Sequence, residues 1–496
     1  SALANPAVRL GAVVPGLAQN LRSARTLAEV GGELSSTAVA VAERAGADDL
    51  VVEDGRFPVE AARRVSAELA PAVATLRQAT ARLASTASPL LLDEVRAGTA
   101  EVGERIEAAT DSIEVAAEAT RLAPSLLGAD GDRRWVLAVL TPSEQRGAGG
   151  LAGDFAELRA RRGEIDLVRS LPAADLNAAT DPVAQAALLP DVYAERYGGM
   201  RPGRFWQNLS ATPDVPTFAS AIATAYPRTR GGGPVDGVVV LDPFAVAALL
   251  ELTGPIRVPG WPEPLTAGNA ATVLLFDHYD QLSPEQIDTF QSDVIDALVD
   301  ALTSGSLPPI SQLAATLAPQ VAGGHLRLWS PEAEPQALFE RIGADGGLGV
   351  RPAGADFVQL VTQNDGENKI DWYLRRQLAY RATVDPATGA VRAEVTVTLT
   401  NTAPDSGVAS YVIGEADGPT RPGENELTAT VHSPHRVVAV TDGRGRRLPV
   451  NLGQERGLHS VSVVLELPAG ATTTFTVTLD GVLPVLDRPS YRLVVG

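Results

Sequence analysis

The sequence predicts a multidomain α+β protein with an N-terminal helical bundle, a central α/β domain and a C-terminal β-sandwich. Three observations lead to this prediction. Apolar residues recur at 3- and 4-residue spacing up to about residue 122, strands and helices alternate in the middle of the chain, and apolar and polar residues alternate with period 2 from about residue 371. A chain of 496 residues is too long for one hydrophobic core. We expect the three domains to span residues 1–128, 129–365 and 366–496.

The N-terminal segment is predicted to consist of long amphipathic helices. A first helical stretch includes Leu34 and Val41, and a second opens at Pro58, since proline suits the first turn of a helix. The residues between them, about 46–58, are typical of extended chain. A third helix is expected at about 93–119. We interpret this segment as a structural bundle or stalk.

The central domain opens with the apolar run Trp135–Leu140, which is typical of a buried strand. A glycine-rich turn is predicted after it, with the polar and glycine residues Glu144, Arg146, Gly149, Gly150, Gly153 and Asp154. An arginine beside two carboxylates can hold a phosphate and a hard cation. We therefore predict that Arg146 clamps a pyrophosphate, that Asp154 is a catalytic and metal-binding residue, and that Glu144, Gly149 and Gly150 bind the ligand. The alternative is a loop ion pair with glycines that the turn itself requires.

Strand and helix signals then alternate, as in α/β domains. The predicted elements are a helix at 216–225, a strand at Gly237–Leu241, a helix from Pro243, helices at 265–275 and 284–303, a strand at 325–329 and a helix at 334–342. Ser283 and Gln286 have the spacing of a capping box. A helical or irregular insert is expected at about 175–204.

Further polar candidates follow the predicted strands. Asn208 and Asp214 lie in a loop and are predicted to face the same cleft, with Asp214 as a catalytic carboxylate and metal ligand; the alternative is that Asp214 caps a helix. Asp242 follows a buried strand at its C-terminal end, where ligands bind in α/β proteins, and it also suits a helix N-cap. His278, which stands among acidic residues, is interpreted as a lone exposed histidine.

The C-terminal segment is predicted to be an immunoglobulin-like β-sandwich. Alternating stretches such as 391–399 and 473–479 are separated by turn signals at regular spacing. We interpret this domain as a spacer, with a binding module as the alternative.

Composition excludes several classes of function. The formal net charge of −19 argues against nucleic acid as a partner, and the absence of cysteine excludes disulfides and thiolate chemistry. Lys369 is the single lysine. We find no signal peptide or membrane span, and no motif of a hydrolase elbow, a P-loop, a dinucleotide site or a zinc protease. The sequence begins at Ser1 without a methionine.

Five stretches resemble the family called domain of unknown function 4012, which is frequent in actinobacteria. They are GGLAGDFAEL, NLSATPDVP, VDGVVVLDPFAVAALLELTGPI, GGHLRLWSPEAEPQALFERIGADGGL and NDGENKIDWYLRR, and they extend from about Trp135 to the C-terminus. The core of that family resembles, more distantly, the LytR-CpsA-Psr domain.

The second resemblance implies an activity: a phosphotransferase that moves a glycopolymer from a polyprenyl-pyrophosphate carrier to the cell wall, using a divalent cation such as Mg²⁺ and a set of arginines. The first implies an extracytoplasmic, cell-envelope protein tethered to the membrane by an upstream helix. One departure weighs against catalysis, because the helix at 284–303 contains Gln286 and Gln291 but no arginine. Arg201 and Arg204 are the other cations expected near a bound pyrophosphate. The second hypothesis is therefore a non-catalytic envelope protein that binds polymer, lipid or a protein partner, or serves as a scaffold.

Overall fold

The computed structural model describes residues 19–30, 32, 50–414, 421–484 and 491–496. These residues form two compact units. The first comprises the described residues up to 133 together with 160–165 and 306–313, and the second comprises 134–159, 166–305 and the described residues from 314 to 496. The expected helical positions Leu34 and Val41 lie outside the described residues.

The first unit is built on long helices. Residues 19–30 are helical, followed by Val59–Ala84 and Asp93–Leu126, so the predicted helical character of this segment is confirmed for the described residues. Apolar side chains at helical spacing along Val59–Ala84 form its buried face: Val65, Leu69, Leu76 and Leu83. Ile106 of the next helix packs into the same core. These contacts explain why the 3- and 4-residue apolar spacing was a reliable signal.

The second unit contains a five-stranded sheet in the order β3-β2-β1-β4-β5. Its strands are β1 (Arg133–Thr141), β2 (Leu151–Arg161), β3 (Glu164–Pro172), β4 (Gly237–Leu241) and β5 (Leu326–Trp329). β1 and β4 are parallel, with Trp135 opposite Gly237, whereas β4 and β5 are antiparallel. The carboxyl ends of β1 and β4 therefore meet at the same edge of the sheet.

Helical layers cover both faces of this sheet. The alternation of β1 explains the layers, because Val136, Ala138 and Leu140 enter one core and Leu137 enters the other. The helices and turns of the second unit up to β5 are Ala173–Ala179, Pro182–Ala186, Asp191–Arg196, Gly198–Met200, Trp206–Ala211, Val215–Ala225, Tyr226–Arg228, Pro243–Thr253, Ala270–Thr272, Val273–Asp277, His278–Gln281 and Pro284–Thr303. Ile310–Ala322 precedes β5, and Ala333–Arg341 follows it.

Side-chain caps fix the starts of three of these helices. Asp214 accepts a hydrogen bond from the backbone N–H of Thr217, and Asp242 accepts from those of Phe244 and Ala245. The predicted capping box of Ser283 is present at the start of Pro284–Thr303.

Two further sheets share one hydrophobic core at the C-terminal end of the chain. One has the order β10-β13-β8-β7 and the other β11-β12-β9-β6-β14. Their strands are β6 (Asp356–Asn364), β7 (Leu374–Val384), β8 (Ala390–Asn401), β9 (Asn425–Ser433), β10 (Arg436–Asp442), β11 (Asn451–Glu455), β12 (Leu458–Leu467), β13 (Thr472–Val482) and β14 (Leu493–Val495). Alternate residues such as Val395, Val431 and Val477 are fully buried between the sheets.

One strand of the C-terminal sheets has no counterpart among the predicted elements. β6 pairs with β9, with Gln363 opposite Thr428, and so belongs to the C-terminal sheets rather than to the central sheet. These sheets therefore begin at Asp356 and not at the expected residue 366. The period-2 signal is weak in β6 because Asp356–Asn364 is buried on both faces, with only Gln359 and Leu360 half-buried.

Candidate functional site

The Arg146 side chain is buried and committed to internal hydrogen bonds. Only 4 % of the residue is exposed. Its Nε donates to Asn208 Oδ1 at 3.2 Å, its Nη1 to the carbonyls of Gln145 and Asn364 at 2.9 and 2.8 Å, and its Nη2 to Glu144 Oε1 at 3.0 Å. Four of its contacts are thus made within the protein, which corrects the expectation of a guanidinium open to a pyrophosphate.

Glu144 joins Arg146 to the single lysine of the chain. Its second carboxylate oxygen, Oε2, accepts from Lys369 Nζ, and that ammonium lies 5.1 and 5.2 Å from the ring centroids of Tyr279 and Tyr411. Although burial opposes the charge, Glu144 keeps the pKa of Lys369 above its ordinary value. We call Arg146, Glu144 and Lys369 the buried ion network.

The glycines of this turn serve its own packing. A side chain on Gly150 would place its Cβ 2.6 Å from the backbone carbon of Thr141, and one on Gly147 would lie 2.0 Å from the Ala211 carbonyl oxygen. Gly149 has a φ of 112°, which L-residues rarely adopt. The turn is also shorter than expected, because β2 begins at Leu151 and therefore contains Asp154.

Asn208 and Asp214 are also bonded within the protein. Asn208 Nδ2 donates to the Met200 carbonyl at 2.7 Å, while its oxygen accepts from Arg146. Asp214 Oδ1 accepts from the Leu348 N–H at 2.9 Å, and its Oδ2 caps the helix Val215–Ala225. Asp214 thus caps a helix, which is the structural alternative, and both residues also bond to segments distant in the chain.

Asp154 faces a small apolar cavity between β1 and the helix Pro284–Thr303. The cavity measures about 40 Å³ and is lined mainly by aliphatic side chains, among them Leu274, Val294 and Leu298. That volume is room for a water molecule and far below the size of a ligand pocket. Burial, together with the negative charge of Asp288, raises the pKa of the Asp154 carboxyl to about 7.

A larger cleft lies at the edge where β1 and β4 end. It has a volume of about 390 Å³, within the range of small-ligand sites. Eight glycines line it, so much of its wall is bare backbone: Gly147, Gly149, Gly323, Gly324, Gly346, Gly347, Gly349 and Gly496. Its charged and ionisable lining residues are Arg146, Asp242, His325, Arg327 and Arg376. We call this the glycine-lined cleft.

Arg327 is a cation of this cleft, and the carboxylates of Asp345 and Asp242 act on it from beyond ion-pair distance. Its Nη1 donates to the Val321 carbonyl at 3.0 Å, but its buried Nε has no hydrogen-bond partner. Among the residues that the structure describes, it forms no ion pair. Gly324 and Gly346 flank its guanidinium so closely that a Cβ would lie 2.3 Å from Nη2 or 2.5 Å from Nε. Burial lowers the pKa of Arg327, yet the guanidinium stays charged at neutral pH.

Arg376 of β7 is the second arginine of the cleft, and the charge of Asp371 acts on it. Its Nη1 donates to Thr362 Oγ1 at 3.2 Å, and within the described part of the chain it has no carboxylate at ion-pair distance. Both arginines lie in stretches that resemble the family, GGHLRLWS and NDGENKIDWYLRR, but we did not predict either as a site residue. These motifs contain charged residues, so the sequence carried a signal. Only the fold, however, brings Arg327 and Arg376 to one cleft. Arg201 and Arg204 instead lie over the ring of Phe205.

Asp242 has the predicted position at this cleft and performs two structural tasks. Its Oδ1 caps the helix Pro243–Thr253, and its Oδ2 lies 2.7 Å from His325 Nδ1. The His325 ring is half-buried and packs 4.7 Å from the ring of Phe244. A carboxylate that orients an imidazole in this way is the arrangement of a general base.

The predicted metal ligands are not brought together. No group of three or more His, Asp or Glu side chains suited to a metal ion occurs among the described residues. Asp154 faces its own cavity and Asp214 caps a helix, and the expected Mg²⁺ stays a prediction. His278 is fully buried rather than exposed, with Nδ1 2.7 Å from the Val273 carbonyl oxygen, and burial lowers its pKa to about 4.

The central segment is thus an α/β layer structure with a cationic cleft at the carboxyl edge of its parallel strands. Residues 130–279 match the sequence profile of a family described as "Protein of unknown function (DUF4012)", which supports the resemblance for this part of the chain. No curated protein and no solved structure matches the chain. None of the helices in the described residues combines the length and apolar character needed to cross a membrane.

Proposed function

We propose that this chain is an extracytoplasmic cell-envelope protein that binds a phosphate-bearing polymer in the glycine-lined cleft. The observation that supports binding is the pair of arginines, Arg327 and Arg376, which line the cleft and form no ion pair with any residue that the structure describes. Arg327 is half-buried and Arg376 is exposed. Both guanidinium groups can therefore meet an anion that enters the cleft, which gains charge-assisted contacts. Arginine also matches the planar, bidentate geometry of phosphate.

Envelope location and polymer chemistry are inferred from the resemblance to domain of unknown function 4012 and, through it, to LytR-CpsA-Psr proteins. We assign the central sheet to that fold and the C-terminal sheets to an immunoglobulin-like sandwich. Two features support binding rather than transfer as the main role. Arg146 is used inside the buried ion network, and the apolar cavity beside Asp154 is too small for a polyprenyl chain.

Calorimetric titration with inorganic pyrophosphate tests the proposal. We expect Arg376→Gln to weaken binding at least tenfold, which corresponds to about 1.4 kcal/mol, because one of two cations is lost. Arg375→Gln is the matched control, since Arg375 is the neighbouring exposed residue on β7 and donates to the Trp372 carbonyl outside the cleft lining. Equal affinities for the wild type and Arg376→Gln would contradict the proposal.

A phosphotransferase acting in the same cleft is the second candidate. It is favoured by the 2.7 Å contact between Asp242 and His325, because an oriented imidazole can accept a proton from an attacking hydroxyl. Asp242 is the one acidic side chain among the described residues that line the cleft, and its oxygens are already bonded. A magnesium ion held by carboxylates therefore does not fit here, and no step is assigned to one.

The two candidates differ in the effect of His325→Gln. If the cleft only binds, pyrophosphate affinity is retained when His325 is replaced. In that case no polyprenyl phosphate, the leaving group of the transfer, is released when a polyprenyl-pyrophosphate glycan is supplied with Mg²⁺. Release or transfer by the wild type that His325→Gln abolishes would establish the phosphotransferase instead.

A further inference from the structure

A second groove lies on the outer face of the five-stranded C-terminal sheet, and we propose that it binds an uncharged, hydroxyl-rich ligand, a short saccharide. It measures about 530 Å³. Its floor is formed by β6, β9 and β12, with β11 at one side and the segment 195–200 above it. We call it the sandwich groove.

Strand register explains why polar side chains gather on this floor. Thr430 stands opposite Ser462 on one side and Val361 on the other, while Thr428 stands opposite Val464 and Gln363. These residues alternate with those of the core, so the face that points away from the core carries hydroxyl and amide groups. Asn451 extends the row, opposite Ser462.

Two buried side chains on the floor have polar atoms without partners. Gln363 is 7 % exposed, and its amide oxygen has no hydrogen bond. His432 is 1 % exposed, and its Nδ1 likewise has none. An unsatisfied buried polar atom is destabilising, so a ligand that bonds to these atoms would remove that penalty.

The charges of the groove favour a neutral ligand. Arg196 is neutralised by Glu455, whose carboxylate lies 3.3 Å from its Nε. Glu195 and Asp365 remain at the rim as exposed acids, and they would repel a phosphate. Amides and hydroxyls match the alternating donors and acceptors of sugar hydroxyls. The exposed aliphatic residues Leu452 and Val464 provide a surface for the apolar face of a ring.

The sandwich groove adjoins the glycine-lined cleft along β6, because Val361 lines both. A polymer of sugars and phosphates could therefore be recognised at two points by different chemistry. The saccharide proposal does not depend on anion binding, since none of the groove's polar contacts involves Arg327 or Arg376.

Titration with neutral trisaccharides, maltotriose and triacetylchitotriose, tests this inference. We expect binding of at least one of them, protection from hydrogen exchange at 361–365 and 428–432, and at least tenfold weaker binding by Gln363→Leu. The leucine keeps the shape and removes an unsatisfied amide, so the variant should fold. Asn451→Trp is a second variant at an exposed position, and its indole should block the groove.

Thr398→Val is the control. Thr398 hydrogen-bonds Thr474 within the sheet β10-β13-β8-β7 and is not among the residues that line the sandwich groove, so this variant should not affect binding. The inference is overturned if neither trisaccharide binds, or if both groove variants bind like the wild type. Arg376→Gln should leave trisaccharide binding intact, whereas Gln363→Leu should leave pyrophosphate binding intact. Failure of one proposal is thereby distinguished from failure of the other.

Discussion

Glu144 is the residue on which the buried ion network depends. Only 4 % of it is exposed, yet its two oxygens neutralise Arg146 at 3.0 Å and Lys369 on the opposite side. Two cations sharing one buried carboxylate remain stable because the carbonyls of Gln145 and Asn364 and the tyrosine rings satisfy the remaining donors.

Glu144→Gln should therefore be strongly destabilising. The amide leaves two buried cations without a counter-charge, and breaking a buried ion pair in this way costs about 3–5 kcal/mol. Urea unfolding measures the loss. Glu466→Gln, at an exposed position on β12, is the control and should change the free energy of unfolding by less than about 0.5 kcal/mol. A similarly small change for Glu144→Gln would show that the network is not a source of stability.

Asp154 should make the stability of the protein depend on pH. Its carboxyl titrates near pH 7 in the folded protein, because burial raises the pKa from 3.8. Between pH 4 and 7 the folded state holds a proton that the unfolded state has released, so stability falls as pH rises, by up to about 1.4 kcal/mol per pH unit. Asp154→Asn should remove this slope, as measured by urea unfolding from pH 4.5 to 7.5. Asp300→Asn, at an exposed site on the helix Pro284–Thr303, is the control. Parallel slopes for Asp154→Asn and the wild type would contradict this assignment.

Individual residues could be predicted from the sequence where local geometry decides their role. The caps at Asp242 and Ser283 depend on neighbours within three residues and are confirmed. The role of Arg146 depends on Asn364, which is 218 positions away. An arginine in a glycine-rich turn has the same sequence pattern whether it faces a ligand or a carbonyl of the same chain.

At the scale of secondary-structure elements, loops determine the shape of the glycine-lined cleft. The segment after the helix Ala333–Arg341 turns through Gly343 and Gly346, both with positive φ, of 70° and 65°. Gly346 contacts Arg327, and Gly343 has open space where a side chain would extend. Substitutions at Gly343 and Gly346 therefore distinguish the effect of backbone strain from the effect of contact with Arg327.

Gly346→Ala should lower both stability and anion binding. A left-handed alanine costs about 1–2 kcal/mol, and its Cβ would lie 2.5 Å from Arg327 Nε, which must then move. Gly343→Ala should cause a similar loss of stability with unchanged affinity for pyrophosphate. Thermal unfolding and calorimetric titration of the two variants measure these effects. If both variants bind equally well, the position of Arg327 does not matter for the cleft.

Elements were predictable where one period dominates the sequence. The strand Gly237–Leu241 and the helix Pro284–Thr303 have the expected bounds, since apolar spacing and caps agree there. β6 was not recognised as part of the C-terminal sheets, because a strand with both faces covered lacks the alternation that reveals a sheet.

At the scale of the whole molecule, the glycine-lined cleft is built from the central sheet and from both C-terminal sheets. β1 and β4 end at it, β5 supplies Arg327, and the C-terminal sheets supply Arg376 and part of β6. Such a site requires pairing between strands that are far apart in sequence, as with β6 and β9. It could not be predicted from local patterns, although the motifs that contain Arg327 and Arg376 were visible. The buried ion network joins the same parts of the second unit, through the bonds of Arg146 with Asn364 and of Glu144 with Lys369.

The central claim is that the glycine-lined cleft binds anions, and hydrogen-exchange mass spectrometry with and without inorganic pyrophosphate tests it most directly. We predict that protection increases at residues 323–327 and 346–350 and at the start of β7, and that Arg376→Gln loses this protection while Arg375→Gln keeps it. Protection confined to other parts of the chain, or identical exchange with and without pyrophosphate at saturating concentration, would contradict the claim.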